Sequence, residues 1–337
     1  MPPSRLSIEQ GLAAVWRTRR GLACLLLIPA GLFLVLATLR RSLYRSGLLR
    51  GDRLSVPVVM VGNIIAGGAG KTPLTLHLAR MLKMAGRRPG IVSRGHGGAG
   101  QVMEVGADSA PAAVGDEPLL LRSRASCPVF VGRKRATAAR ALLAAYPETD
   151  VILCDDGLQH YALARDIEIA VFDRRGLMNG WPLPAGPLRE MPARLREVDA
   201  VVFNGDPAGI PRHPHVFHMT LMGDRFHLLG DPSRHFTAAD LAGMKLHAVA
   251  GISDPGRFFD HLASLGLTPE CHPFPDHHPY VAADIAFTGD AILATEKDAV
   301  KLHGLALLPV WVLPVDACLS PDLARFVLEK LDGPPSA

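Results

Sequence analysis

The stretch IAGGAGKTPLTLHLAR, residues 65–80, places three glycines before a lysine and a threonine and then continues as a helix-forming run. The preceding VPVVMVGN, residues 56–63, reads as a buried strand. A strand, a glycine-rich loop and a helix N-terminus together present backbone amides to phosphate oxygens. We therefore predict a P-loop that binds a nucleotide triphosphate. Its predicted nucleotide-binding residues are Ile65, Ala66, Gly67, Gly68, Ala69, Gly70, Lys71 and Thr72.

Two side chains of this loop have expected roles. Lys71 reaches the β- and γ-phosphates and Thr72 ligates Mg²⁺. The strict motif has a glycine six places before the lysine, where this chain has Ile65. We expect Gly67 and Gly68 to supply the backbone freedom instead. The alternative, a glycine-rich turn with an incidental lysine, is disfavoured by the strand before it and the helix after it.

A second acidic element follows in VILCDDGLQH, residues 151–160. Asp155 and Asp156 come directly after four apolar residues, at the expected end of a strand. In P-loop enzymes an acidic residue at this place holds Mg²⁺. The alternative is a strand-ending Asp-Asp-Gly turn.

Apolar strand candidates alternate with helical segments along the chain, as in CPVFVG (127–132), IEIAVFD (167–173) and DAVVFNGD (199–206). Such alternation is typical of a mostly parallel sheet covered on both faces. We predict an α/β fold: a P-loop NTPase-like, mostly parallel sheet domain, a second, smaller α/β domain and an N-terminal hydrophobic membrane-anchor helix.

The domain division is predicted from changes in composition. Residues 1–50 form the anchor and a basic connector, residues 51–215 the P-loop nucleotide-binding domain, and residues 216–337 the smaller domain, which we expect to close over the cleft. The proline- and histidine-rich segment GDPAGIPRHPH, 205–215, marks the junction. VFHMTLMGDRFHLL, 216–229, reads as a β-hairpin that opens the smaller domain.

The N-terminal segment from residue 21 to 39 carries no charge and is flanked by arginines on both sides. It is long enough to span a bilayer. A cleaved signal peptide is the alternative, but no small-residue cleavage site follows. Pro29 and Gly31 bend a helix easily, which favours a shallow anchor in one leaflet over a crossing helix. The following arginines favour an anionic cytoplasmic leaflet.

Composition excludes several other classes. The 337 residues carry a net charge of +4, which is no argument for nucleic acid as a partner. The five cysteines are scattered and never form a C-x-x-C pair, so they make no obvious zinc site and a reducing cytoplasm fits. The N-K-x-D or T-K-x-D motif with which a GTPase recognises guanine is also missing, because the nearest stretch, TEKD at 295–298, has its lysine one place too late. Adenine is the default base.

Several uncommon strings occur in a fixed order, and together they closely resemble the tetraacyldisaccharide 4'-kinase (lipid A 4'-kinase) family from the N-terminal segment to about residue 317. They are GNIIAGGAGKTP (62–73), SRGHGG (93–98), GDEPLLL (115–121), DDGLQHYALARD (155–166), LPAGPLRE (183–190), FPDHH (274–278) and TEKDAVKL (295–302). The resemblance implies transfer of the γ-phosphoryl group of ATP to the 4'-hydroxyl of tetraacyldisaccharide 1-phosphate, giving lipid IVA. It also implies a bacterial inner-membrane location with the site facing the cytoplasm, and no obligatory protein partner.

The resemblance assigns further residues. Asp116 corresponds to the catalytic base and His277 to its partner. An N-cap for Asp116 and a solvated loop histidine for His277 are the alternatives. The remaining assignments are Asp155, Gln159 and Glu190 as the Mg²⁺ ligands beside Thr72, Asp156 and His160 as supporting residues, and Arg94 as a phosphate contact of either substrate.

Two other functions remain open on the sequence. One is a membrane-anchored P-loop ATPase that acts on a protein partner. The other is a soluble-substrate ligase of the dethiobiotin synthetase type, which leaves residues 21–39 unexplained.

Overall fold

The computed structural model describes residues 14–207, 209–320 and 322–333. Among them, one helix, Leu27–Arg45, is long and apolar enough to cross a membrane, and only 6% of its apolar window is buried. Pro29 lies in its first turn, where a missing N–H costs no helical hydrogen bond. The predicted anchor thus corresponds to a largely exposed helix. Residues 1–13, which begin the predicted anchor unit, lie outside the described residues.

The helices and strands of the described residues have the following bounds. The helices are α1 (Leu22–Leu25), α2 (Leu27–Arg45), α3 (Lys71–Met84), α4 (Pro111–Val114), α5 (Asp116–Ala125), α6 (Arg135–Ala145), α7 (Ala238–Leu241), α8 (Pro255–Ser264), α9 (Glu296–Leu302) and α10 (Leu323–Asp332), with 3₁₀ turns at Pro192–Arg196 and Ala282–Ile285. The strands are β1 (Val58–Gly62), β2 (Pro89–Ser93), β3 (Met103–Glu104), β4 (Val129–Val131), β5 (Val151–Cys154), β6 (Ile167–Asp173), β7 (Ala200–Asn204), β8 (Val216–Met222), β9 (Arg225–Leu228), β10 (Asp231–Thr237), β11 (Leu246–Ala250), β12 (Glu270–Pro273), β13 (Ala291–Thr295), β14 (Val310–Leu313) and β15 (Asp316–Ser320).

Nine strands form the larger sheet, in the order β15-β8-β7-β6-β1-β5-β2-β4-β3. Every neighbouring pair is parallel except the two at the edges. Both faces of this sheet are covered, because Val59 and Val61 of β1 point into one core and Val58 and Met60 into the other. The first core contains apolar residues of α3, α5 and α10, and the second contains those of α6. Burial on both faces explains why these strands read as continuous apolar runs.

Six strands form the smaller sheet, in the order β10-β9-β14-β13-β11-β12. The four adjacent strands β14, β13, β11 and β12 run parallel to one another, and β9 and β10 pair antiparallel. Helix α8 covers one face through Phe258 and Leu262, and α9 covers the other through Ala299 and Leu302. The predicted fold class, a P-loop-type sheet with a second, smaller α/β unit, is confirmed.

The predicted hairpin at residues 216–229 is wrong. Strand β8 pairs with β7 and β15 in the larger sheet, whereas β9 pairs with β10 and β14 in the smaller one. Gly223 lies at the crossing between the sheets, and a Cβ there would overlap the carbonyl oxygen of Pro314 on the returning chain. The two connections between the sheets therefore run side by side.

This pairing bears on the predicted division at residue 215. Because residues 216–222 and 316–320 belong to the larger sheet, we propose that the first unit includes both segments and α10. The second unit then spans roughly residues 223–315, inserted into the first.

Candidate active site

The loop between β1 and α3 has the backbone geometry of a phosphate-binding loop. Gly67 and Gly70 have φ of 96° and 95°, a region that residues with side chains rarely adopt. A Cβ on Gly70 would lie 2.9 Å from the Met219 side chain and closer still to the amide of Asn204. Asn204 Nδ2 in turn donates to the carbonyl oxygen of Ala69 at 3.1 Å. Only glycine fits at position 70.

Ile65 occupies the place of the missing motif glycine. Its side chain is fully buried, and it forms an isolated antiparallel bridge with Leu188. The N–H of Ala66 donates to the carbonyl oxygen of Pro187 at 2.8 Å. The start of the loop is thus held against the segment 183–190. The backbone freedom that we expected from Gly67 and Gly68 is provided by Gly67 and Gly70.

Lys71 and Thr72 open helix α3, and both are buried. Lys71 Nζ lies 3.1 Å from Asp156 Oδ1 and donates to the carbonyl oxygen of Gly67 at 3.3 Å. Thr72 Oγ1 donates to Asp155 Oδ2 at 3.2 Å. The lysine and hydroxyl of the loop therefore meet both aspartates at the end of β5. A phosphate that enters the loop would compete with Asp156 for the charge of Lys71.

The two neighbouring aspartates differ electrostatically. Burial, followed by the charge of Glu117, raises the pKa of Asp155 to about 7. Burial pushes the pKa of Asp156 upward as well, but the charges of Lys71 and Arg189 outweigh it and hold that pKa below its ordinary value. Asp155 is thus a carboxylate that a nearby cation would stabilise, whereas Asp156 already has cationic partners.

The predicted magnesium ligands fall into two hydrogen-bonded pairs. Thr72 and Asp155 form the first, and Gln159 Nε2 donates to Glu190 Oε2 at 3.0 Å in the second. No hydrogen bond joins the two pairs directly among residues 14–207. Asn63 adjoins the second pair, because its carbonyl accepts from Gln159 at 2.9 Å, and its buried Oδ1 lacks a hydrogen-bond partner. Hard oxygen donors and an unpartnered amide oxygen fit Mg²⁺.

His160 and Arg135 support this region from the side. Burial, followed by the charges of nearby arginines, lowers the pKa of His160 to about 4, so its ring is neutral at pH 7. The buried Arg135 donates to the backbone carbonyl oxygens of Asp155 and Asp156. It escaped sequence analysis because it lies in a run of basic residues, GRKRATAAR, that reads as an exposed helix start.

Arg94 lines a cavity of about 210 Å³ together with Arg133 and the glycine-rich backbone of residues 95–100. Two guanidinium groups make the cavity suitable for an anion. The ring of His96, on the same loop, lies 5.0 Å from the ring of His277. The cavity therefore borders the second half of the site.

Asp116, from the unit of the larger sheet, and His277, from the unit of the smaller sheet, are in direct contact. His277 Nδ1 lies 3.0 and 3.1 Å from the carboxylate oxygens of Asp116. Gly115, and not Asp116, is the N-cap of α5. His277 has a left-handed φ of 59°, a conformation that nonglycine residues adopt at a cost and often at functional sites. The geometry favours the paired roles over the two alternatives considered for these residues.

The charges around the pair shift both pKa values. Burial alone would raise the pKa of Asp116, but the hydrogen bond from His277 and the charges of Lys297 and Lys301 hold it well below its usual range. Burial would lower the pKa of His277, and its hydrogen bond to Asp116 outweighs this and raises that pKa. The carboxylate is thus ionised and is held in place by an imidazole donor.

Lys297 is a residue that sequence reasoning missed. Its Nζ lies 3.0 Å from Glu117, 2.9 Å from Asp276 and 3.2 Å from His277 Nε2. Donation from Lys297 to Nε2 fixes the neutral imidazole as the tautomer with its proton on Nδ1, facing Asp116. The only signal for this contact in the sequence was that the motifs GDEP, FPDHH and TEKD, which contain Glu117, Asp276 and Lys297, all carry charged residues.

The smaller sheet also contacts the P-loop itself. The N–H of Gly68 donates to Ser253 Oγ at 2.6 Å, and Ser253 donates to Asp276. Arg175, from the end of β6, donates to the carbonyl oxygen of Gly68 at 2.5 Å. A single chain of contacts therefore runs from the phosphate loop through Asp276 to Lys297.

A parallel sheet with a lysine-bearing loop after its first strand, and aspartates at the end of the neighbouring strand, defines the class of P-loop NTPase-like proteins. Comparisons with known proteins narrow this class. A family model described as "Tetraacyldisaccharide-1-P 4'-kinase" matches residues 22–332. The chain belongs to this family, as the sequence motifs predicted, and is a kinase.

Individual relatives agree with the family match. The chain is 54% identical to the tetraacyldisaccharide 4'-kinase of Dechloromonas aromatica, over 94% of this chain and 95% of that protein. It is 51% identical to the protein of the same name from Azoarcus sp., over 96% of each. The crystal structure of LpxK from Aquifex aeolicus in complex with ATP superposes with a TM-score of 0.77 at 29% identity, covering 92% of this chain and all of that one.

Proposed function

We propose that this chain transfers the γ-phosphoryl group of ATP to the 4'-hydroxyl of tetraacyldisaccharide 1-phosphate and so produces lipid IVA. The observation that carries the proposal is the Asp116–His277 pair, which lies beside a P-loop site and supplies what a bare ATPase lacks, a base for an alcohol acceptor. Glu117 links the two halves, because its charge acts on Asp155 and its carboxylate accepts from Lys297.

In the nucleotide half, the amides of residues 67–70 and Lys71 would hold the β- and γ-phosphates. Mg²⁺, held by Thr72 and Asp155 with Gln159 and Glu190 nearby, would neutralise charge on the phosphate oxygens. Phosphoryl transfer asks the protein mainly for alignment and charge stabilisation. Removal of one such contact typically costs about 10²–10³ in rate.

In the acceptor half, Asp116 would accept the proton of the sugar hydroxyl. Its low pKa makes it a weak base, which suits a loose transition state in which little proton transfer precedes bond breaking to the leaving group. His277 holds the carboxylate in the orientation that receives the proton, and Lys297 holds His277. The arginine-lined cavity at residues 94–100 is placed to bind a phosphate of the acceptor or the nucleotide.

The lipid acceptor explains the exposed apolar helix. Ile28, Leu32, Val35, Leu36 and Leu39 of α2 are all more than half exposed, a pattern that costs free energy in water and is relieved by burial in lipid. Arginines flank the helix. We place the protein at the bacterial inner membrane with both sheets on the cytoplasmic face, where ATP is available.

The test is phosphorylation of the lipid by the purified full-length chain. The chain is incubated with γ-labelled ATP, Mg²⁺ and tetraacyldisaccharide 1-phosphate in detergent micelles, and label is followed in lipid and in free phosphate. We expect label in the lipid, and none when the acceptor lacks its 4'-hydroxyl. Asp116→Asn serves as the matched protein control and should lose transfer while still binding ATP.

Phosphate release that is indifferent to the lipid would contradict the proposal and favour the membrane-anchored ATPase. Transfer that persists with the 4'-deoxy acceptor would show that a different hydroxyl receives the phosphate. Activity on soluble carboxylate or amine substrates with equal efficiency would favour the ligase alternative.

A further inference from the structure

Three side chains with metal-ligating atoms meet at the edge of the smaller sheet, away from the residues assigned above. His247 projects from β11, and Glu270 and His272 project from the edge strand β12. The strands are parallel, with His247 opposite Glu270 and Val249 opposite His272. Period-two alternation puts all three on one face of the strand pair.

The two imidazoles are held in fixed orientations. His247 is buried, and its Nε2 lies 3.3 Å from the carbonyl oxygen of Thr288. Phe287 stacks on both rings, with centroid distances of 4.5 Å to His247 and 4.1 Å to His272. An imidazole that donates one N–H to a backbone carbonyl and directs its other nitrogen at a shared point is the usual arrangement of a metal-ligating histidine.

The separations suit a four-coordinate ion. His247 Nδ1 lies 3.1 Å from His272 Nε2, and Glu270 carboxylate oxygens lie 3.6 Å from His247 Nδ1 and 3.9 Å from His272 Nε2. With metal–ligand bonds of about 2.0–2.1 Å, the ligand atoms of a tetrahedral zinc site are roughly 3.3–3.4 Å apart. The two distances to Glu270 involve its two different carboxylate oxygens, and one ligand atom from each of the three residues lies within 4.8 Å of the others. Glu270 is free to bring one oxygen to the shared point because its side chain is 66% exposed.

We propose that His247, Glu270 and His272 form a binding site for a divalent transition-metal ion such as Zn²⁺, with a fourth position open to solvent. Two imidazole nitrogens and one carboxylate select Zn²⁺, Co²⁺, Ni²⁺ or Cu²⁺ over Mg²⁺, which prefers an all-oxygen shell. The ion joins β12, a four-residue edge strand, to β11 through side chains.

The competing explanation is a hydrogen-bonded histidine pair on an aromatic stack, with His272 Nε2–H donating to His247 Nδ1. In that arrangement Glu270 is only an ion-pair partner of a protonated ring, whereas the metal site uses the carboxylate as its third ligand. The two explanations differ in what Glu270→Gln does, since the substitution leaves the histidine pair intact and removes the anionic ligand.

The experiment uses the full-length chain without a histidine tag, freed of metal by chelation and kept without Mg²⁺ and ATP. Co²⁺ is titrated in, its visible d–d absorption is recorded, and Zn²⁺ is then added as competitor. His272→Ala and Glu270→Gln are compared with His213→Ala, which removes a histidine from a second histidine pair, and with Asp155→Asn, which removes metal binding at the kinase site. Thermal melts and kinase activity in Mg²⁺ verify that His272→Ala and Glu270→Gln fold.

We expect one equivalent of Co²⁺ with a visible band that Zn²⁺ abolishes, unchanged in His213→Ala and Asp155→Asn. Affinity should fall at least about tenfold in His272→Ala and in Glu270→Gln, and Zn²⁺ should raise the melting temperature of the parent and of the two control variants more than that of either site variant. No visible band in the parent, or equal Co²⁺ affinity in the parent and His272→Ala, would overturn the proposal. Equal affinity in Glu270→Gln would reduce the site to the histidine pair and overturn it as stated.

Discussion

Lys297→Met is the substitution that tests the acceptor half of the site most directly. Lys297 makes charged hydrogen bonds with Glu117 and Asp276 and donates to His277 Nε2. Methionine keeps the length of the side chain and removes the charge and all three donors. Two consequences follow, one for the titration of the Asp116–His277 pair and one for its orientation.

The size of the titration effect follows from the geometry. Lys297 Nζ lies 3.2 Å from His277 Nε2, so its charge opposes a second proton on the ring by about 1 kcal/mol with full water screening and about 5 kcal/mol at an effective dielectric constant of 20. One pH unit corresponds to about 1.4 kcal/mol. Lys297 also lowers the pKa of Asp116. Its loss therefore raises the pKa of both members, and the acid limb of kcat/KM should move up by at least about one pH unit.

The orientation effect appears at high pH, where the pair has lost its extra proton. Without Lys297 the His277 ring loses the partner that fixes its tautomer, and the limiting kcat should fall about 10–100-fold, because misplaced catalytic groups cost that much. Unpairing the half-buried Glu117 and Asp276 also destabilises the fold, by less than the roughly 3–5 kcal/mol that breaking a fully buried ion pair costs. Each variant must therefore be assayed below its measured melting temperature.

The assay is kcat and kcat/KM for lipid phosphorylation from about pH 5.5 to 9.5, with Lys301→Met as the matched control. Lys301 Nζ lies 3.7 Å from Asp116 Oδ2, so this variant loses a charge beside the pair but no hydrogen bond to His277. It should show a similar shift of the acid limb with a parental kcat at high pH. A parental plateau in Lys297→Met, or an acid limb that moves down or stays fixed, would refute this account of Lys297.

Three further predictions concern the same assays. Lys71→Ala should lower kcat by at least about 10²-fold with the fold intact by thermal melting, and near-parental turnover would remove the phosphate-loop assignment. Asp116→Ala and His277→Ala should each lower kcat with little change in ATP affinity. The double variant should be scarcely worse than the poorer single one, because both substitutions disable the same step. If the two losses of kcat multiplied instead, the residues would act in separate steps. Leu32→Glu with Leu36→Glu should release the protein from vesicles and impair phosphorylation of lipid in bilayers while sparing ATP binding, and unchanged sedimentation with vesicles would place the membrane attachment elsewhere.

Local patterns in the sequence were enough to predict the central parallel strands of the larger sheet. Val58–Gly62 is apolar without interruption because both of its faces are buried, and Lys71 begins the following helix where the glycines end. The contact between Lys71 and the aspartates after β5 also follows from topology, since β1 and β5 are adjacent parallel strands whose carboxyl ends share an edge.

The order of strands between the two sheets could not be predicted in this way. Residues 216–229 carry the alternation and the Gly-Asp turn of a hairpin, and nothing local indicates that β8 instead pairs with β15, about a hundred residues later. Lys297 was missed for a similar reason. On a short charged helix, Glu296–Leu302, it reads as a solvated residue, and it is half-buried only because α9 packs against α5 of the other unit.

The division of the site between the units explains why its residues are spread over such distant motifs. The nucleotide half, from Lys71 to Asp156, lies wholly on the larger sheet, whereas His277 and Lys297 come from the smaller one. In the proposed mechanism Asp116 has its histidine partner only when the two units touch. Two contacts that join the units, Gly68 to Ser253 and Glu117 to Lys297, lie at the phosphate loop and next to Asp116 in the chain. We propose that the two adjacent chain crossings at Gly223 and Pro314 act as the hinge about which this contact opens and reforms as a rigid-body motion. If the base is completed only on closure, the kinase does not transfer the phosphoryl group to water before a lipid hydroxyl is bound.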